Sequence, residues 1–385
     1  MEFLPTEILM QIFEPLTAKE LFACRATCVR LKNVIDGILC NEEIWKKFCI
    51  TDFPSMSKTA RYKSKEILQW KNIYRSLTLW GRLEFAQEQR DEFAPASSPR
   101  EEIIDFQILK NGTIGVHTRS GVRYYDAITT RMLNEPFVPG NYLKYMENEY
   151  ATLFMCSNFH LIIMRKVPQR THITYEDVKM FTFQNNHVYF VNMNDDLVYF
   201  DLNDVDLECS LVHRFPNEII SIGFQNNNLN VLCNDKFIYS VVNRQLVLQS
   251  NIVFYPNMLD EFHKYNLLDH LDWRICFEWM ALLHHPIPQG ALRDIITIRT
   301  YGDIVFVGTN WGVLRIYYKP YINDQLDLFS CDPVKQYNFM EPYECPVLST
   351  SPIIQIDAVE IDDGHIVVVA MPKKLAVLKF THDFE

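Results

Sequence analysis

Three groups of residues have the types and spacing to do chemistry, and each also has a plainer reading. The run Asn192-Met193-Asn194-Asp195-Asp196, continuing through Asp201, Asn203, Asp204, Asp206 and Glu208, offers oxygen ligands of the kind a calcium ion takes. It lacks glycine at the sixth loop position and glutamate at the twelfth, so hairpin turns rich in Asn and Asp fit it better. His284-His285 could ligate a metal, but the pair stands before Pro286 in a turn-like segment. Cys24 and Cys28 lie one helical turn apart with no nearby histidine, which suits core or interface thiols. The chain has no Gly-x-Ser-x-Gly, no phosphate-cradling glycine loop and no His-Glu-x-x-His. The expectation is therefore a non-enzyme with no metal and no cofactor.

The elements that position the remaining residues begin at the N-terminus. Leu4-Pro5 opens a helix, because proline suits a first helical position, and Ile8, Leu9, Ile12, Phe13 and Leu16 follow at helical spacing until Pro15 stops it. Thr17 and Glu20 form a Thr-x-x-Glu capping box, with Leu16 and Leu21 placed as a hydrophobic staple. A second helix starts at Ala18 and carries Leu21, Phe22 and Cys24. A third carries Val29, Leu31, Val34 and Ile35 and should close at Gly37, and Asn41 caps a fourth with Ile44, Trp45 and Phe48. So few short helices make a core too small for comfortable stability alone, so a partner or following domain is expected.

The pattern Leu4-Pro5-x-Glu7-Ile8-Leu9-x-x-Ile12-Phe13-x-x-Leu16, then Leu21-x-x-Cys24-Arg25-x-x-Cys28, then Ile44-Trp45-Lys46, resembles an F-box. One departure is Leu31, where many F-boxes carry an aromatic residue. The resemblance implies docking on a Skp-family adaptor and, through it, on a cullin-RING ubiquitin ligase. It assigns the adaptor contact to Leu4, Pro5, Ile8, Leu9, Ile12, Phe13, Leu16, Leu21, Val29 and Trp45.

Composition bounds the rest. The chain has 385 residues, 48% hydrophobic and 13% aromatic with only 12 glycines, which excludes disorder and low complexity. No apolar run reaches the roughly 18 residues of a membrane span, and MEFLPTE has no leader pattern. The expected location is intracellular, in cytoplasm or nucleus, with no membrane partner. The ten cysteines, scattered singly, read as buried thiols in a reducing compartment. Residues 1 to 80 carry 12 Lys+Arg against 9 Asp+Glu, which leaves 25 against 39 for the remainder, a net −14. That balance disfavours nucleic acid as a partner of the large domain.

After the F-box come a linker helix, with Ser64 as its cap and Ile67, Trp70, Ile73, Tyr74 and Leu77 on one face, and then strands only. Its basic residues Lys58, Arg61, Lys63, Lys65, Lys71 and Arg75 read as a solvated face. Ile103-Ile104-Asp105-Phe106 recurs as Ile219-Ile220-Ser221-Ile222, Ile295-Ile296-Thr297-Ile298 and Ile353-Ile354-Gln355-Ile356. With fainter copies, the anchors fall at 104, 143, 179, 220, 296 and 354, a period of about 40 residues with a degenerate unit expected at about 255 to 290. Such a repeat predicts a β-propeller, with seven blades favoured over six or eight; a β-sandwich or a non-WD propeller is the alternative. The beat resembles WD repeats, with Tyr125-Asp126 and Phe200-Asp201 closing third strands, although no Gly-His precedes the first strands.

The expected architecture is multidomain, α plus all-β: an F-box bundle over residues 1–50, a linker helix region over 51–78 and a propeller over 79–385. The resemblance implies a substrate receptor that presents target proteins for ubiquitination and proteasomal degradation. The alternative is an adaptor-bound scaffold that delivers no substrate. Loops between second and third strands would gather Arg119, Asn158, Asn194, Asn234, Trp311 and Lys373 on one rim, with Arg119, Asn310 and Trp311 as candidate substrate contacts. The last unit has only three strands of its own, so residues 79–86, with Trp80, Leu83 and Phe85, are expected to supply its fourth.

Overall fold

A computed structural model of the chain describes residues 4–54, 56–95, 101–167, 171–204, 208–225, 228–235, 237–242, 245–251, 295–319, 332–340 and 351–382. Helix α1 (Thr6–Phe13) follows Pro5 and ends before Pro15. Helix α2 (Ala18–Arg25) starts in the expected capping box, Glu20 N donating to Thr17 Oγ1 at 3.3 Å and Thr17 N to Glu20 Oε2 at 2.9 Å. Helix α3 (Val29–Leu39) runs through Gly37, where a stop was expected, and ends at Cys40. An interior glycine costs about 1 kcal/mol, and burial of Ile38 one residue later anchors the extra half turn. Asn41 caps α4 (Glu42–Asp52) by accepting from Glu43 N at 3.0 Å. Leu9, Phe13, Ala18, Leu21, Ile35, Ile38, Trp45 and Phe48 pack into one small core.

The linker is two helices, α5 (Ser57–Lys63) and α6 (Trp70–Leu79), instead of one. Ser64 terminates α5 in extended backbone, and two residues on Glu66 N donates to Asn111 Oδ1 of the β-domain at 3.1 Å. A tertiary partner thus takes a donor that a continuous helix would have used, and Ile67 is left outside. Residues 79–86 are not a strand. Trp80–Phe85 forms a 3-10 turn in which Trp80 and Leu83, three residues apart and so on one side, are buried together.

Strand β1 (Gln87–Phe93) follows, and the remaining strands group into four-stranded antiparallel sheets, six among the described residues. Sheet 1 is β2 (Ile103–Ile108), β3 (Thr113–Thr118), β4 (Gly121–Asp126) and β5 (Val138–Pro139). Sheet 2 is β6 (Tyr142–Glu147), β7 (Ala151–Cys156), β8 (Leu161–Arg165) and β9 (Thr171–Tyr175). Sheet 3 is β10 (Val178–Gln184), β11 (His187–Asn192), β12 (Asp196–Asp201) and β13 (Ser210–Arg214). Sheet 4 is β14 (Ile219–Gln225), β15 (Asn228–Cys233), β16 (Phe237–Val242) and β17 (Gln245–Asn251). Sheet 5 is β18 (Ile295–Tyr301), β19 (Ile304–Thr309), β20 (Val313–Tyr318) and β21 (Lys335–Asn338). Sheet 6 joins β22 (Gln355–Ile361), β23 (Gly364–Ala370) and β24 (Leu375–Thr381) to β1, with Gln87 opposite Thr381 and Phe93 opposite Leu375.

Apolar layers unite sheets 4 and 3, 3 and 2, 2 and 1, 1 and 6, and 6 and 5. First strands of neighbouring sheets touch, β10 against β14, β2 against β22 and β18 against β22, so the first strands lie innermost. This radial packing is consistent with a β-propeller. The degenerate unit expected at about 255 to 290 lies outside the described residues. In five sheets the pairing slips past the second residue of the innermost strand or the one aligned with it: Ile104, Leu143, Lys179, Ile220 and Ile296. Five of the six residues that anchor the sequence repeat thus lie at β-bulges.

Candidate functional site

The helical module divides its apolar residues between an interior and a surface. Leu9, Phe13, Leu21 and Trp45, expected as adaptor contacts, are buried in the module's own core; Trp45 Nε1 donates to Leu39 O at 2.8 Å. They build the frame of the module. Ile8, Ile12 and Val29 are exposed, Val29 at 74%, Pro5 is also exposed, and Leu4 and Leu16 are half-buried. Met10 and Phe22, absent from the expected set, are exposed as well. Arg25 Nε donates to Asp36 Oδ1 at 2.6 Å and ties α2 to α3. Of the described cysteines all are free, and Cys28, Cys40 and Cys209 are exposed where burial was expected.

The linker is seated on the loops that join first to second strands. Glu66 pairs with Lys110 at 2.8 Å in the β2–β3 loop, Asn72 donates to Asp362 at 2.6 Å in the β22–β23 loop, and Met56 lies against Gly302 in the β18–β19 loop. Gly302 has φ +58° and a Cβ there would stand 1.8 Å from the Met56 sulfur, so a larger residue would have to displace the Met56 side chain. Lys63, expected in a solvated face, is instead buried, and its Nζ donates to Asp357 Oδ2 at 2.5 Å, with Arg299 on the other side of the carboxylate at 3.8 Å. Burial alone would raise the Asp357 pKa, but the two cations hold it below the usual range; burial pulls Lys63 down, and the Arg299 charge adds to that against the opposing pull of Asp357.

Beside it, Glu360 accepts from Trp80 Nε1 at 2.9 Å, from the Ser76 hydroxyl and from His365 Nδ1 at 2.9 Å, and the Trp80 and His365 rings stack 3.7 Å apart. Burial opposes the Glu360 charge, yet His365 and these donors lower its pKa overall. Cys49, Met56, Ile73, Leu77, Trp80 and Leu83 join the apolar layer between sheets 5 and 6. The F-box-resembling module is therefore fastened to one face of the sheets.

The opposite rim carries the loops between second and third strands. Arg119, Asn158, Asn194, Asn234, Trp311 and Lys373 all stand in such loops, one in each sheet. Arg119 is 66% exposed and pairs with Glu102 at 3.0 Å, with Lys373 3.5 Å from the same carboxylate. Asn310 is exposed and Trp311 half-buried. The described part of the acidic run forms turns, with Asn192 Oδ1 accepting from Asn194 N and Asp196 N at 2.9 Å and Asp201 Oδ1 from Asn203 N at 2.8 Å; Asp206 lies outside the described residues. Asp195 is engaged by Lys179 Nζ at 3.1 Å and by Ile219 N at 2.9 Å, which stitches sheet 3 to sheet 4. No group of three or more His, Cys, Asp or Glu residues placed to hold a metal occurs among the described residues. His284-His285 lies outside them. No described helix is long and apolar enough to cross a membrane.

Comparison with known proteins adds one assignment. No curated protein matches the chain. Solved structures that resemble it include the N-terminal domain of Nup159 (9% identity, 70% of this chain and 87% of that chain, TM-score 0.42) and Kluyvelomyces marxianus Hsv2 (10% identity, 70% and 76%, TM-score 0.33). The computationally designed Ika8 protein is a third (10% identity, 73% and 71%, TM-score 0.31). The model of the F-box-like family matches residues 1–51. The α1–α4 module is thus an F-box-like domain, carried on four-stranded sheets packed as in a β-propeller.

Proposed function

We propose that this chain is the non-catalytic substrate-recognition subunit of a Skp-cullin-F-box ubiquitin ligase, which brings a target protein to the ligase for ubiquitination and degradation. F-box-like domains commonly bind Skp-family adaptors. The observation that carries the reading is the separation of two faces. The F-box-like domain is held by a buried, charge-paired linker on the loops between first and second strands, and the rim between second and third strands is left for another partner. A rigid link of this kind fixes target and adaptor in relative position, which is what a receptor contributes to a reaction carried out by other subunits.

Ile8→Asp/Ile12→Asp should abolish co-purification of the adaptor and cullin, since burying an unpaired charge in an apolar contact costs several kcal/mol. The melting temperature of the β-domain should not move. Adaptor without cullin in the wild-type complex would favour the scaffold reading, and undiminished adaptor yield from the variant would remove the F-box basis altogether.

A further inference from the structure

The rim opposite the F-box-like domain carries an apolar strip across three adjacent sheets. Ile104 and Leu143, the bulged residues of β2 and β6, are exposed, as are Phe159 in the β7–β8 loop and Met193 in the β11–β12 loop. Contacts between their neighbours link the three sheets along this rim. His117 of sheet 1 faces the ring of Tyr142, next to Leu143; Tyr142 pairs with Cys156; and Phe159 N donates to Cys156 O. Phe159 O then accepts from Val178 N at 2.8 Å, and Met193 N donates to Asp177 O at 2.9 Å.

Phe159 is the least expected member. It is 44% exposed and stands at φ +62°, a left-handed conformation that costs a bulky side chain about 1 kcal/mol. Neither burial nor backbone geometry accounts for phenylalanine at this position. The strip runs into carboxylates: Glu176, Asp177, Asp195, Asp196 and Glu218, against Lys179 and Arg214 among the described residues. Both of those cations are already paired, Lys179 with Asp195 and Glu218, and Arg214 with Asp196. The strip's other end, by contrast, is charge-balanced through Arg119, Lys373 and Glu102.

We infer that this rim binds an extended segment of the target protein that carries a large apolar side chain over Phe159 and Met193 and basic residues over the acidic end. The inference rests on the receptor reading and names the chemistry of its target. Apolar burial supplies the anchor, and the unbalanced carboxylates select the sign of the flank.

The full chain in complex with its adaptor is panned against a random dodecapeptide display library. The enriched pool should be net positive and contain a large aliphatic or aromatic residue. A representative peptide should bind at least tenfold more weakly to Phe159→Asn, and as weakly to Glu176→Lys/Asp177→Lys. Asparagine tolerates the left-handed region, so Phe159→Asn should keep or raise the melting temperature, which separates lost recognition from lost folding. A pool with no charge bias, no enrichment above background, or equal binding by Phe159→Asn would each overturn the inference. So would a wild-type dimer in sedimentation that Phe159→Asn dissolves, because the strip would then serve a second copy of the chain. Cullin capture, scored on the same preparation, reports the receptor reading separately.

Discussion

Leu9 and Ile8 are neighbours in sequence and opposites in role. Helix α1 has apolar residues at 8, 9, 12 and 13, more than one stripe, and spacing alone does not say which stripe faces the module's own core. The structure places Leu9 and Phe13 inside and Ile8 and Ile12 outside. Leu9→Ala should cost about 2–5 kcal/mol and unfold the small helical core, with adaptor binding lost as a consequence. Ile8→Ala should leave helicity intact and weaken the adaptor alone. Circular dichroism of the isolated effect on helix content, set beside adaptor affinity, distinguishes the two. The same limit applied to Trp45: a late tryptophan was legible as important, but not as a core residue whose indole is already occupied by Leu39 O. On the far rim the sequence offered Arg119 as a charged reader, yet Glu102 already engages it. Phe159 had no signal, because its exposure and its left-handed backbone follow from the hairpin register and not from local composition.

At the scale of elements, the caps were the most legible feature and the linker the least. Thr17, Glu20 and Asn41 act within one turn of their own backbone, so no tertiary term competes with them. The linker is decided by distant partners. Lys63 looked like one of several solvated cations, and only the fold brings Asp357 beneath it. Glu360 is similar, a charge inside a strand whose donors, Ser76 and Trp80, lie almost three hundred residues earlier. Its folded pKa is depressed, so its contribution to stability is full above the ordinary carboxylate pKa of about 4.3 and is lost as pH falls through the lower folded value. The wild-type β-domain should accordingly lose stability below about pH 4.3, with Asp357 adding to the same loss. Glu360→Gln should be about 3 kcal/mol less stable at pH 7 and show a shallower fall between pH 5 and pH 3.5. Denaturant unfolding at the three pH values, followed by tryptophan fluorescence, measures both the offset and the slope.

For the whole molecule the period of about 40 residues was enough to announce radial sheets, because each unit must bury its faces against neighbours. Closure was legible in kind and misplaced in position. An outer strand from the end of the linker was expected at residues 79–86 because Trp80, Leu83 and Phe85 are apolar, and it is found at Gln87–Phe93. Apolar content reports burial, and an outermost strand is scarcely buried. Its sequence QEQRDEF is mostly exposed and charged, which also protects the edge from adding a foreign strand. The apolar stretch before it is instead the plug that fills the layer between sheets 5 and 6. Strand β24 therefore has three dependants. It pairs with β1 on one side and β23 on the other, and Ala376, Leu378 and Phe380 line the layer that holds the linker. Deleting residues 371 to 385 should destabilise the β-domain as a unit and free the F-box-like domain from its fixed seat. Fraying of one edge would not be enough. The milder Phe380→Ala, which removes a fully buried ring, should cost about 3–5 kcal/mol and leave a folded protein to examine. In that variant, hydrogen exchange should accelerate together in β1, β23 and α6. Acceleration confined to β24 would mean that closure and linker docking are independent.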